Sequence, residues 1–225
     1  MTKQPWIVRV FFPVQMLCGA CALPPAEQEA AREGRWDFGY RAGTSLGKGE
    51  PANDLPIAGN VFARRWFSEA SAWKLWVESA AGDFEEPAKV VGLEQDQSIG
   101  AIDADQEVLT FGAAYERLLA SSSSGRHELL GLVGLGWSSI DVDDVSGPLE
   151  GGGTFDITTD PGDELLATAG LEYRLALSAR WALEAEVRYD FHFADWKVRD
   201  TVSGSTGEID DYGTYGVLLG IAFSP

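Results

Sequence analysis

The sequence predicts an all-β fold, an eight-stranded antiparallel transmembrane β-barrel, from three observations. Bulky apolar side chains alternate with small or charged ones along most of the chain. The alternating runs are joined by connections that are short and long in turn. Aromatic residues gather near the two ends of the runs. The clearest run is Trp181 to Phe193, WALEAEVRYDFHF, where every odd position is apolar and Glu184, Glu186, Arg188, Asp190 and His192 stand between. Successive side chains leave a strand on opposite faces, so this segment reads as a strand with one greasy and one charged face.

Composition sets the outer limits. A chain of 225 residues with 45% hydrophobic residues suits one domain. No apolar run of about 18 residues follows the N-terminal stretch, which excludes a helical span but not a barrel. A net charge of -18 argues against a nucleic-acid partner, because phosphate binding needs a basic surface. The stretch MTKQPWIVRVFFPVQMLCGACA carries Lys3 and Arg9, then an apolar run, then Ala20-Cys21-Ala22. That order predicts a secretory signal over 1–22, whose removal takes Cys18 and Cys21 with it. Residues 23–34 read as a polar linker and 35–225 as the barrel.

The predicted strands are 35–47, 57–67, 72–82, 106–119, 126–140, 163–177, 181–198 and 210–223. In the first, Trp36, Phe38, Tyr40 and Ala42 alternate with Asp37, Gly39, Arg41 and Gly43. The second contains adjacent Arg64 and Arg65, one of which must face outward and snorkel. The connections to the third (68–71), from fourth to fifth (mostly SSSSG) and from sixth to seventh (178–180) are hairpin-sized. The fifth, around LLGLVGLGW, is apolar on both faces and leaves its register open. The sixth sets Leu165, Ala167, Ala169, Leu171, Tyr173 and Leu175 against Glu164, Leu166, Thr168, Gly170, Glu172 and Arg174. The eighth sets Tyr215, Val217, Leu219, Ile221 and Phe223 against Gly216, Leu218, Gly220 and Ala222. The other connections, 48–56, 83–105, 141–162 and 199–209, are long. Short turns at one end and long loops at the other put both termini and the short turns in the periplasm.

The charged face must point inward. An eight-stranded barrel has room inside for packed side chains or one small ligand, not for a full set of large apolar groups per strand. Arg or Lys turned to the bilayer midplane costs about 2–4 kcal/mol each, and acids somewhat less. Trp36, Phe67, Trp73, Trp181 and Phe223 fall near the short-turn end, and Trp137, Tyr189, Phe191, Phe193 and Tyr215 near the long-loop end. Two such bands suit the two membrane interfaces.

With these runs, the alternating loops and the aromatic final strand YGVLLGIAF, the chain resembles the OmpA/OmpX-type small outer-membrane barrels over about 35–223. Its Phe223 is followed by Ser224-Pro225, a departure from the terminal aromatic of that pattern. The resemblance implies the cell outer membrane as location, outer-membrane lipid, lipopolysaccharide and the barrel assembly machinery as partners, and a monomer.

Candidate site residues are the inward charges Arg41, Glu116, Glu172, Arg174, Glu184, Glu186, Arg188, Asp190 and His192. A three-residue turn at 178–180 places Arg174 opposite Glu184 and Glu172 opposite Glu186. The charges read first as a salt-bridged plug. A narrow conduit or gate, and a proton- or cation-responsive site, are the functional alternatives. No enzyme is expected: His127 lies beside flexible turn serines, and His192 has no serine at neighbouring inward positions. The long loops are acidic, and Asp141, Asp143 and Asp144 in DVDDVSG are candidate ligands for Ca2+ or Mg2+, although the loop lacks full calcium-loop spacing. No other cofactor is expected. The expected role is structural or adhesive at the cell surface. A small pore or a carrier of hydrophobic molecules is one alternative, and a soluble lipocalin-like binder another.

Overall fold

The computed structural model describes residues 32–48, 53–84, 104–148 and 153–225. The predicted signal over 1–22, linker residues 23–31 and most of the acidic loop at 83–105 lie outside these. In chain order the strands are β1 (Trp36–Lys48), β2 (Asn53–Ser68), β3 (Ser71–Phe84), β4 (Ala104–Ser121), β5 (His127–Val142), β6 (Val145–Pro148), β7 (Thr154–Asp160), β8 (Asp163–Ala176), β9 (Trp181–Phe193), β10 (Trp196–Asp200), β11 (Thr206–Ile209) and β12 (Tyr212–Phe223). Eight of them close an antiparallel barrel in the order β1-β12-β9-β8-β5-β4-β3-β2. Closure leaves no unpaired edge, which a strand in lipid requires. The predicted hairpin register holds: Glu172 pairs with Glu186, Arg174 with Glu184 and Ala176 with Ala182.

Alternation dictates which residues enter. Leu135, Leu219, Val133, Val187 and Leu171 are 68%, 64%, 57%, 55% and 50% exposed on the outer surface. A continuous apolar surface of this kind has no use in water and belongs against lipid, which excludes the soluble lipocalin-like alternative. Near the short turns, Trp181 lies 4.8 Å from Phe223, and Trp73 lies 5.7 Å from Tyr115. Near the other end Tyr189 lies 5.0 Å from Tyr215, and Phe191 5.0 Å from Phe193. The open register of β5 resolves with Glu128, Leu130, Leu132, Ser138 and Ile140 inside. Arg64 is the inward member of its pair, and Arg65 sits outside with its guanidinium 5.6 Å from the Trp36 ring.

Two expectations need correction. The first connection is short, because β1 runs to Lys48 and β2 begins at Asn53. Pro56 falls where the β2–β3 register shifts between Asp54 and Ile57, and a proline interrupts the alternation that would have marked a strand. The predicted seventh strand was also too long. It ends at Phe193, and the apolar positions change phase from odd to even at Trp196 and Val198.

The segment Trp196–Asp200 instead joins a second sheet, ordered β11-β10-β7-β6, built from what reads in sequence as two long loops and the end of the seventh predicted strand. Phe155, Ile157, Trp196, Val198 and Ile209 form its apolar face and cluster with Val108, Ile140 and Val142 at the barrel mouth. Its outward positions include Asp160, Lys197 and Glu208, with Lys197 in register opposite both acids. Asp200 ties the sheet together, accepting from the backbone N–H of Asp156 (2.9 Å), Ser203 (2.9 Å) and Val202 (3.3 Å). Burial pushes the Asp200 carboxyl up, but these donors outweigh it and hold it below the usual aspartate range.

Candidate functional site

The inward positions of the barrel strands, odd-numbered on β1 and even-numbered on the others, converge in three levels. At mid-height three cations, Arg41, Arg64 and Lys74, meet four carboxylates, Glu116, Glu172, Glu184 and Glu186, and all seven side chains are buried. Arg41 donates to Glu172 and Glu184, each at 2.5 Å, and to Glu186. Arg64 donates to Glu184 at 2.8 Å and also to Glu116 and Glu172. Lys74 reaches Glu186 at 2.5 Å, Glu116 at 3.0 Å and Glu172 at 3.2 Å. The Phe62 ring lies 4.2 Å from the Arg41 guanidinium, 5.2 Å from that of Arg64 and 5.5 Å from the Lys74 ammonium. Glycine makes the room: a Cβ on Gly220 would come within 2.6 Å of Arg41 Cγ, and one on Gly112 within 2.0 Å of the Trp76 ring.

Below this, toward the short turns, Asp37 is the hub. It accepts from Trp66 Nε1 at 2.9 Å and Ser224 Oγ at 2.5 Å, and lies 3.2 Å from Arg35 and 3.4 Å from Arg174. Ser224-Pro225 is therefore not a loose end after Phe223, because Ser224 turns inward to fasten the last strand to the first. Arg174 also reaches Glu128 (3.4 Å) and Glu184 (3.5 Å), and Arg32 pairs with Glu128. These two levels hold six acids (Asp37, Glu116, Glu128, Glu172, Glu184, Glu186) and six bases (Arg32, Arg35, Arg41, Arg64, Lys74, Arg174), so their charges balance.

Above the plug is a chamber of about 20 Å³, with Trp76, Glu78, Gln106, Arg188, Asp190 and His192 among its lining residues. Arg188 pairs with Asp190 (2.7 Å) and with Glu78, and lies 3.5 Å from Glu186. His192 stacks on Tyr212 with ring centroids 4.4 Å apart, and its nitrogens lie 3.0 Å from Glu164 and 3.3 Å from Thr214. Tyr212 also donates to Glu164 at 3.1 Å. The apolar cluster under the second sheet roofs this level.

All nine predicted interior residues are inside, but in different places. Arg41, Glu116, Glu172, Glu184 and Glu186 share the plug, Arg174 joins it to the Asp37 hub, and Arg188, Asp190 and His192 belong to the chamber. Arg64, Lys74, Asp37, Glu78, Glu128 and Glu164 were missed, though Trp73 and Leu75 facing out already put Lys74 in. Asp141, Asp143 and Asp144 are exposed at the rim; among the described residues no three His, Cys, Asp or Glu side chains are grouped to hold a metal. His127 is exposed and lies 2.5 Å from the Tyr173 hydroxyl.

No protein-family model matches the chain, and no curated protein matches it. Among solved structures it is similar to the outer membrane protein OprG from Pseudomonas aeruginosa, at 9% identity and TM-score 0.59, over 87% of this chain and 99% of that one. It is also similar to Neisserial surface protein A, at 12% identity and TM-score 0.51, again over 87% and 99%. The fold is therefore that of the small outer-membrane barrels, and the apolar belt around this chain's barrel is suited to lipid.

Proposed function

We propose that this protein is a closed barrel that presents a folded surface for interaction outside the cell, and that it neither conducts nor catalyses. The observation that carries the reading is the filled lumen. A balanced plug of six acids and six bases lies below, and the four-stranded sheet lies over the mouth with an apolar face buried against the barrel. An ion crossing this interior would have to break several buried pairs at once, whereas a sheet fastened to its barrel offers a preorganised platform. Outer-membrane lipid surrounds the belt, and the assembly machinery inserts it. Asp141, Asp143 and Asp144 at the rim meet lipopolysaccharide phosphates through divalent cations.

The test has two parts. In planar bilayers the full chain gives no steady conductance steps, and reproducible steps would refute the closed barrel. Replacing 145–160 and 196–209 by short turns leaves a folded, silent barrel whose cells lose the surface adherence that the full chain confers. Equal adherence by both forms would refute the role of the sheet.

A further inference from the structure

The chamber above the plug is short of positive charge. Glu78 from β3, Glu164 from β8 and Asp190 from β9 face it or its roof, against Arg188 and the imidazole of His192; Tyr212 is the remaining titratable neighbour. The elements β1, β2, β4 and β5 bring Ser45, Asn60, Gln106, Thr110 and Ser138, none ionisable. Even with His192 protonated, three carboxylates meet two cations, and the balanced levels below have no surplus to lend. An uncompensated buried charge is costly, so proteins pair it or bind an ion.

Among the acceptors there without a partner, two belong to the chamber lining itself. Asp190 Oδ1 and Gln106 Oε1 are buried without a hydrogen bond, on residues 4% and 1% exposed that both line the chamber. Asp190 offers its other oxygen to Arg188, while Glu78 is engaged by Arg188 and Asn60. Trp76 Nε1, a donor without an acceptor, lines the same space.

We propose that the chamber binds one small monovalent cation of the sodium class, held by Asp190 Oδ1 and Gln106 Oε1. Oxygen donors are the hard ligands such a cation takes, and about 20 Å³ admits the ion with about one water. A water on the ion accepts from Trp76 Nε1. Calcium fits poorly, since it takes about 6–8 oxygens, and of the two carboxylates in the chamber lining only that of Asp190 has a free oxygen, its other oxygen accepting from the Arg188 guanidinium at 2.7 Å. Both the charge deficit and the orphaned acceptors are met by the same ion, and neither is met by an apolar or anionic occupant.

The full chain is refolded in detergent in sodium chloride or in N-methyl-D-glucamine chloride at equal ionic strength and pH 8, and unfolded in urea. The unfolding constant is expected to be about tenfold smaller in sodium, once free sodium is about ten times its dissociation constant. Asp190→Asn removes the excess charge and is expected to unfold alike in both salts. Identical unfolding of the unaltered chain in the two salts would overturn the proposal. An undiminished sodium effect in Asp190→Asn would overturn it also.

Discussion

Replacing Arg41 by methionine should cost more than its single position suggests. The side chain is fully buried and donates to Glu172, Glu184 and Glu186 while lying 4.2 Å from the Phe62 ring. Arg41→Met leaves six acids facing five bases in the two lower levels, so one carboxylate is buried without counter-charge. Removing one partner of a buried ion pair typically costs about 3–5 kcal/mol. At about 1.4 kcal/mol per decade, the unfolding constant rises by roughly two to three and a half decades. The double variant Arg41→Met with Glu186→Gln removes the stranded charge and should recover most of the loss, because a neutral replacement of a whole pair is often tolerated. Urea unfolding in lipid vesicles, followed by tryptophan fluorescence, gives the two values, and the heat-modified gel band verifies that each variant starts folded. A single variant within about 1 kcal/mol of the parent, or a double variant no better than the single, would refute the account of the plug.

Three more outcomes follow from the same geometry. Gly112→Val drives a Cβ to within 2.0 Å of the Trp76 ring and should lower stability by at least about 1–3 kcal/mol; unchanged urea unfolding would mean the indole moves aside freely. Leu135→Arg, on a side chain 68% exposed, should cost about 2–4 kcal/mol in vesicles if it faces mid-bilayer, and a cost near zero would place that face in water. Asp200 has a folded pKa below its unfolded value, so its support for the β10–β11 turn is full above the usual aspartate range and fades as pH falls through the lower, folded value. Protection of the Val202 and Ser203 amides, taken as the exchange rate relative to the intrinsic rate at each pH, should therefore fall in acid, and Asp200→Asn should abolish that fall; protection in the parent that does not change with pH would count against the role of these hydrogen bonds.

The barrel was legible in sequence because lipid on one face and a narrow lumen on the other impose a period of two that local residues report. The β8–β9 register followed from one turn length, and so did the opposition of Arg174 and Glu184. The second sheet was harder to see. Its strands are short, at four to seven residues, and are separated by turn chemistry such as the left-handed Gly204. The alternation of Phe155 with Ile157 and the phase change from Phe193 to Trp196 were the available signals. The missed plug members had a different cause. Arg64 and Lys74 each lie on strands whose inward phase was readable, but their partners Glu116, Glu172 and Glu184 come from other strands, and barrel closure decides who meets whom. Charge balance across levels, and the deficit around Asp190, appear only once that closure is known.

The claim on which the rest depends is that the apolar face of each strand meets lipid and the charged face fills the lumen. A lipid-soluble diazirine reagent, photolysed with the unaltered protein in vesicles and mapped by mass spectrometry, tests it without mutation. On the strand Trp181–Phe193 the account predicts label on Leu183, Val187 and Tyr189 and none on Glu184, Glu186 or Arg188. Label on the even positions, or none on either set, would contradict it.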